Sequence, residues 1–173
     1  MDPPWIDVGG FRIQAPVTVA TNLLLAVQCA RYCALLRKEP GRVSRLWALF
    51  FLGMAVATLA GAPKHGLRHV LGAAQLSLLL WVSAVGAGLA VFCAQGATIL
   101  AHAGPARRAG LRHTCWAQLV LNGGASVTLG PRVGVVIANT AVGLSPVIIA
   151  HAWGRAEVLG AMPESPAASC SLC

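Results

Sequence analysis

An all-α, polytopic membrane helix bundle is the fold class this sequence predicts. Three observations predict it. Of the 173 residues, 57% are hydrophobic and only 10% are charged, against about 25% charged in a soluble domain. The acidic residues are Asp2, Asp7, Glu39, Glu157 and Glu164, and none lies inside an apolar run. Several of those runs approach or reach the spanning length of about 20 residues. About five transmembrane helices are expected, the third of them long, with the N-terminus outside. The expected organisation is an extracytoplasmic segment over 1–14, the bundle over 15–153, and a cytoplasmic, disordered tail over 154–173.

The N-terminus does not read as a cleavable signal peptide. Such a peptide opens with positive charge, whereas this chain opens with Asp2 and Asp7 before Arg12. The first span then reads "APVTVATNLLLAVQCARYCALL", 15–36. Its single charge, Arg31, is near enough to the end to snorkel. A basic loop follows, with Arg37, Lys38, Arg42 and Arg45 against Glu39. The second span is 46–62, "LWALFFLGMAVATLAGA", closed by Pro63. The third stretch, Val70 to Ala103, carries no formal charge. A second basic loop holds Arg107, Arg108 and Arg112. The fourth run, 113–129, is weaker and interrupted by Asn122-Gly123-Gly124. The fifth starts after Pro131-Arg132 and reads "VGVVIANTAVGLSPVIIAHAW".

The third stretch could be one helix or two. As one it is about 50 Å long, beyond the hydrocarbon core of about 30 Å. As two, each half is too short to span. The charges decide for one. A single helix puts both basic clusters, 37–45 and 107–112, on the same side, as the positive-inside rule requires. Tyr32, Trp47, Trp116 and Trp153 then gather near the inner boundary, as an interfacial belt should. The net charge of +8 is accounted for by these topology signals, and no nucleic-acid partner is expected.

Depth along each span locates the polar residues. Asn22, Asn122 and Asn139 fall in the outer half. Gln75 stands near the outer start of the third helix, and His65 just past the outer end of the second. Gln28, Gln95 and Gln118 fall in the inner half and receive no role. Gly53, Ala57, Gly61 and His65 are four apart, so they form one stripe if the helix continues past Pro63. Small residues there let backbones approach closely, within the bundle or across a homo- or hetero-oligomer contact. The stripe aims His65 at the interior, while His69 is expected to face water. Asn and Gln in membrane helices either hydrogen-bond across helices or line a polar ligand pocket. The outer-half set Asn22, His65, Gln75, Asn122 and Asn139 is the candidate pocket.

His102, His113 and His151 read as ordinary interfacial histidines, since nothing in their spacing demands a shared metal. Cys29, Cys33, Cys93 and Cys115 read as inert packing residues. "SCSLC" gives Cys170 to Cys173 the outline of a prenylation box, with an unusual last residue.

"QAPVTVATNLLLAVQC" followed by "RLWALFFLGMAVATLAGAPKHGL" resembles a bacterial membrane family of unknown function. That family is distantly similar to the alkaline ceramidase and progestin/adiponectin receptor superfamily, seven-helix proteins that include zinc-dependent lipid amidases. The resemblance covers 12–80. It implies that His65 descends from a zinc ligand at the end of the second helix. The departures are large. Gly61 stands where those relatives have serine, and Asn22 where an acidic residue is expected. The last two helices with their paired histidines are missing, so the chain looks truncated or altered at its C-terminus.

Zinc amide hydrolysis needs three ligands, an activated water and usually a carboxylate base. This sequence offers one well-placed histidine and no intramembrane carboxylate. The expectation is therefore a small integral membrane protein without catalysis, in the plasma (inner) membrane of a bacterium. It would pack against, or bind, a lipid-like ligand through the outer-half cluster, with membrane lipid as partner and no catalytic residue or cofactor. The alternatives are a degenerate or incomplete zinc-dependent lipid amidase, with zinc on His65, and a transporter or channel subunit.

Overall fold

The computed structural model describes the backbone of residues 4–130 and 133–160; the side chains of Phe11, Val133 and residues 153–160 are outside the description. Arg132, the Trp153 side chain and the Cys170–Cys173 sequence therefore lie outside the described residues. Two short strands precede five helices: β1 (Trp5–Val8), β2 (Phe11–Gln14), α1 (Pro16–Leu36), α2 (Arg42–Gly66), α3 (Ala73–His102), α4 (Pro105–Leu129) and α5 (Val133–Gly160). The predicted helix bundle is what the chain forms.

The hairpin is an addition to the sequence reading. β1 and β2 pair antiparallel with Val8 opposite Phe11. Gly9 and Gly10 make the two-residue turn with φ of 57° and 83°, the positive values that a type I′ turn needs at both positions. Asp7 faces Arg12 across the ladder, with 3.6 Å between the carboxylate and Nε. The Arg12 guanidinium lies 5.6 Å from the Trp5 ring centre. Trp5 in turn meets His69 edge-on at 5.1 Å. His69 is exposed, as expected.

Residues 73–102 form one unbroken helix, about 45 Å long at 1.5 Å per residue. Arg42, Arg108 and Arg112 consequently line one groove, which puts the two basic clusters at the same end of the bundle. Among the described residues, four helices are long and apolar enough to cross a membrane: α1, α2, α3 and α5. The exception is α4, whose first turns carry Arg107, Arg108 and Arg112. The fifth helix runs on to Gly160, past the expected boundary at Trp153. Its extension, "RAEVL", is rich in helix formers.

The bundle is packed with small residues inside and large ones outside. Ala90, Ala94 and Ala97 of α3 have no exposed surface, while Leu24, Val27 and Leu121 are two-thirds exposed or more. In water that surface would aggregate, whereas lipid tails cover it at no cost. α3 is central: it packs on α2, α4 and α5, and α1 packs on α2. α2 and α3 cross closely. A Cβ built on Gly53 would stand 2.7 Å from the Gly86 carbonyl oxygen, and one on Gly86 would stand 3.3 Å from the Ala57 Cβ. α2 continues through Pro63, so the stripe holds. Gly53 and Ala57 face α3, and Gly61 faces Asn22 of α1. That surface is occupied within one chain, and an oligomer would have to use another. Cys29, Cys33 and Cys115 are buried and unpaired, as packing residues are.

Candidate functional site

The five outer-half candidates are placed separately. Asn22 is half-buried on α1, its Nδ2 3.2 Å from where a Gly61 Cβ would be. Gln75 is exposed, and its Oε1 accepts from the Gly72 N–H at 2.9 Å, closing the first turn of α3. Asn122 packs its Nδ2 into the space left by Gly88 of α3. Its Oδ1 is buried without a hydrogen-bond partner, and so is Ser126 Oγ one turn on. Asn139 is half-buried on α5. His65 is half-buried at the end of α2. Among the described residues, no hydrogen bond joins any two of these five.

A polar network does exist, deeper in the bundle, and two of its members are glutamines given no role from sequence. Gln95 Nε2 of α3 donates to Gln118 Oε1 of α4 at 2.6 Å and to the Gly143 carbonyl of α5 at 3.0 Å. Gln118 Nε2 donates to the Asn139 carbonyl at 3.2 Å and to Asn139 Oδ1 at 3.3 Å. Three helices are thus joined around Gly143, where any Cβ would collide with Val91 and with Gln118. The structural pattern is an amide opposite a glycine on a neighbouring helix, a pairing no spacing in the sequence reveals. It recurs at Asn22 with Gly61, Asn122 with Gly88, and Gln118 with Gly143.

Towards the basic end, α3, α4 and α5 diverge around a cavity of about 340 Å³. Its lining mixes Gln95, Thr98, His102 and Arg107 with Ile99 and Val147. That volume lies at the lower end of the range for small-ligand sites, about 300–1,000 Å³. Two of the three inner histidines meet beside it: His102 Nε2 and His151 Nδ1 are 3.2 Å apart, with rings edge to face at 4.6 Å. Thr98 Oγ1 donates to the Ala94 carbonyl at 2.9 Å and stands 3.4 Å from His151 Nε2. Thr98, His151 and His102 thus form a chain of polar contacts beside the cavity. Trp47 of α2 closes over His151 at 5.8 Å. His113 is exposed on α4.

The zinc site that the resemblance implies does not fit this donor set. Among the described residues no group of three His, Cys, Asp or Glu side chains converges to hold a metal. His65 stands at the outer end of α2, and the His102–His151 pair at the basic end of α3, so the histidines are divided between the two ends of the bundle.

A model of a family of unknown function, DUF6962, matches residues 17–163. The chain belongs to that family. The match to DUF6962 takes in the helical bundle and leaves the N-terminal hairpin outside. No curated protein and no solved structure matches the chain.

Proposed function

We propose that this DUF6962 chain is a non-catalytic integral protein of a bacterial plasma (inner) membrane that binds a lipid-like amphiphile within its helical bundle. The observation that carries this reading is the cavity between α3, α4 and α5, which pairs apolar walls with Gln95, Thr98 and His102. An amphiphile matches such a lining: its chain covers the apolar wall and its polar group meets the amides and hydroxyl. The site is thereby moved from the outer half to the inner end. The asparagines of the outer half support that move, because Asn22 and Asn122 are packed helix against helix rather than around a shared space. The ceramidase-like alternative keeps only the likeness over 12–80, and no observation of the donor set favours it.

The test is to purify the full chain in detergent without added lipid and identify what stays bound by mass spectrometry. One amphiphile class should be retained by the parent protein and lost when Ala150→Phe fills the cavity that Ala150 lines. Equal retention in both proteins would refute the site. Ion or solute flux in liposomes would favour the transporter or channel reading instead. Turnover of a lipid amide would favour the amidase.

A further inference from the structure

A second space opens at the same end, on the neighbouring face of α3, and it is lined differently. Its floor and walls are Leu46, Phe92, Gly96 and Leu100, with Trp116 along one side, and its volume is about 530 Å³. At its mouth stand Arg42, the first residue of α2, and Arg108 and Arg112 of α4. It shares only Ile99 and Cys115 with the cavity described above. α2 and α4 both flank α3 here without packing closely on each other, so the groove opens towards lipid along its length. We propose that this groove binds one anionic phospholipid of the leaflet at the basic end, with the headgroup phosphate held by Arg42, Arg108 and Arg112.

Four features carry the assignment. The first is charge. Among the described residues the one ion pair is Asp7–Arg12, at the other end of the chain's architecture. Glu39, the described carboxylate nearest in sequence, pairs with none of the three arginines. Three cations with no ion-pair partner among the described residues, at the edge of a low-dielectric groove, attract an anion.

The second is geometry. Arg108 and Arg112 are four residues apart, hence on one face of α4, with Trp116 a further turn along the same face. A topology signal requires positive charge on this side of the membrane. It does not require that charge from two helices converge on one apolar slot.

The third is preorganisation. Arg108 Nε donates to the Ala103 carbonyl at 2.9 Å, and its Nη2 to the Leu100 carbonyl at 3.3 Å. These bonds fix the guanidinium against the last carbonyls of α3. A guanidinium has five N–H donors, so three remain for a phosphate. The helix starts help: α2 and α4 both begin at this end without a side-chain cap, leaving N–H groups and positive dipole ends near the mouth.

The fourth is the slot itself. A Cβ on Gly96 would be 3.5 Å from Leu46, so glycine keeps the floor open for an acyl chain. Trp116 is about half exposed and meets Phe92 at 4.7 Å with the rings tilted by 55°, which gives that chain an aromatic wall at the depth where tryptophan sits in bilayers. Phosphatidylglycerol or cardiolipin meets this chemistry. A zwitterionic lipid carries its own cation and gains little from three arginines.

The full chain, reconstituted with equimolar phosphatidylglycerol and phosphatidylcholine and then delipidated in steps, tests the assignment by native mass spectrometry. The last lipid to leave should be phosphatidylglycerol, retained over phosphatidylcholine by about tenfold or more for the charges near the surface. Arg42→Gln combined with Arg112→Gln should bring that ratio to within about twofold, because two of the three phosphate partners are gone. Among the described residues the Arg42 and Arg112 side chains make no hydrogen bond within the chain, unlike Arg108, so these variants should fold even where Arg108→Gln does not. Arg37→Gln combined with Arg45→Gln removes equal charge nearby but outside the groove, and should keep the preference. Gly96→Leu should lower retention of both lipids by closing the floor. Equal retention of the two lipids by the parent protein would overturn the assignment. So would an equal loss of preference in the Arg37/Arg45 variant, which would make the effect one of diffuse surface charge.

Discussion

Replacing Gln95 with leucine isolates what the polar network contributes. Leucine fills similar space, so the change removes hydrogen bonds without opening a large void. Two bonds are lost, to Gln118 Oε1 and to the Gly143 carbonyl; Gln118 Oε1 loses its donor in a site where Gln95 was 7% exposed, while the Gly143 carbonyl keeps its place in the α5 ladder. Interhelical bonds of this kind average about 0.6 kcal/mol and reach about 1.7. Gln95→Leu should therefore cost about 1–3 kcal/mol. Gln118→Leu should cost a similar amount, since it also releases Asn139. The double variant should cost less than the sum, by the one bond the two share, about 0.6–1.7 kcal/mol. Reversible unfolding in mixed detergent micelles, followed by circular dichroism, measures all three. A Gln95→Leu protein that unfolds like the parent, or a double variant additive within about 0.3 kcal/mol, would refute the claim that these amides hold α3, α4 and α5 together.

Other outcomes follow from the packing and the topology. Accessibility tags near residues 40 and 108 should report the same side of the membrane, because Arg42 and Arg108 share one groove; labelling from opposite sides would contradict the single long α3. Gly53→Leu should destabilise by roughly 3 kcal/mol, the upper end for overpacking, since backbone oxygen stands 2.7 Å from its Cβ position. Gly61→Leu should cost roughly 1 kcal/mol, because it meets only the movable end of the Asn22 side chain; equal penalties in a thermal melt would contradict that ordering. Protein purified without chelator should carry no stoichiometric zinc by mass spectrometry, and zinc that is present and lost in His65→Ala would restore the amidase reading. Gly9→Val should loosen the hairpin, which requires φ of 57° there, and should raise amide exchange over residues 5–14 without altering exchange in α3.

The helices were legible because lipid imposes a simple rule on them: apolar residues outward at spanning length. The single α3 was legible because charge distribution selects between topologies that hydropathy alone leaves equal. The Gly53–Ala57–Gly61 stripe was legible from spacing, though not its division between two neighbours. Contact partners were not legible. Depth placed Asn139 in the outer half and Gln118 in the inner half, yet the two are bonded, because a long glutamine side chain spans the few ångströms that residue counting treats as a boundary. His102 and His151 are 49 positions apart, and only the crossing of α3 and α5 brings their rings together. The hairpin has a sequence signal in Gly9-Gly10 between two short alternating segments, but it lies outside the apolar runs that define the bundle.

The two halves of the bundle are held by different means, and this bears on where a ligand can enter. α2 and α3 cross at backbone distance through Gly53 and Gly86, a close-packed contact with an apolar groove of about 590 Å³ beside it. α4 and α5 are tied to α3 and to each other by the amides of Gln95, Gln118 and Asn139 as well as by packing. Hydrogen bonds fix a few points and leave space between them, and the cavity and the groove both lie along α4. α4 is also the helix whose opening arginines keep it from the length of apolar sequence its neighbours have. Its N-terminal turns are therefore held near the interface rather than drawn into the core. A ligand that separates α4 from α3 works against three hydrogen bonds, one between Gln95 and Gln118 and two from Arg108, each of modest strength; one that separates α2 from α3 works against close-packed backbone. Cross-linking α4 to α3 through cysteines placed at positions 88 and 122, where Asn122 lies against Gly88, should slow lipid exchange at both sites. The same tie between α1 and α2 at positions 22 and 61, where Asn22 lies against Gly61, should leave exchange unchanged. Equal slowing by both ties would mean that the whole bundle, and not α4, is the moving part.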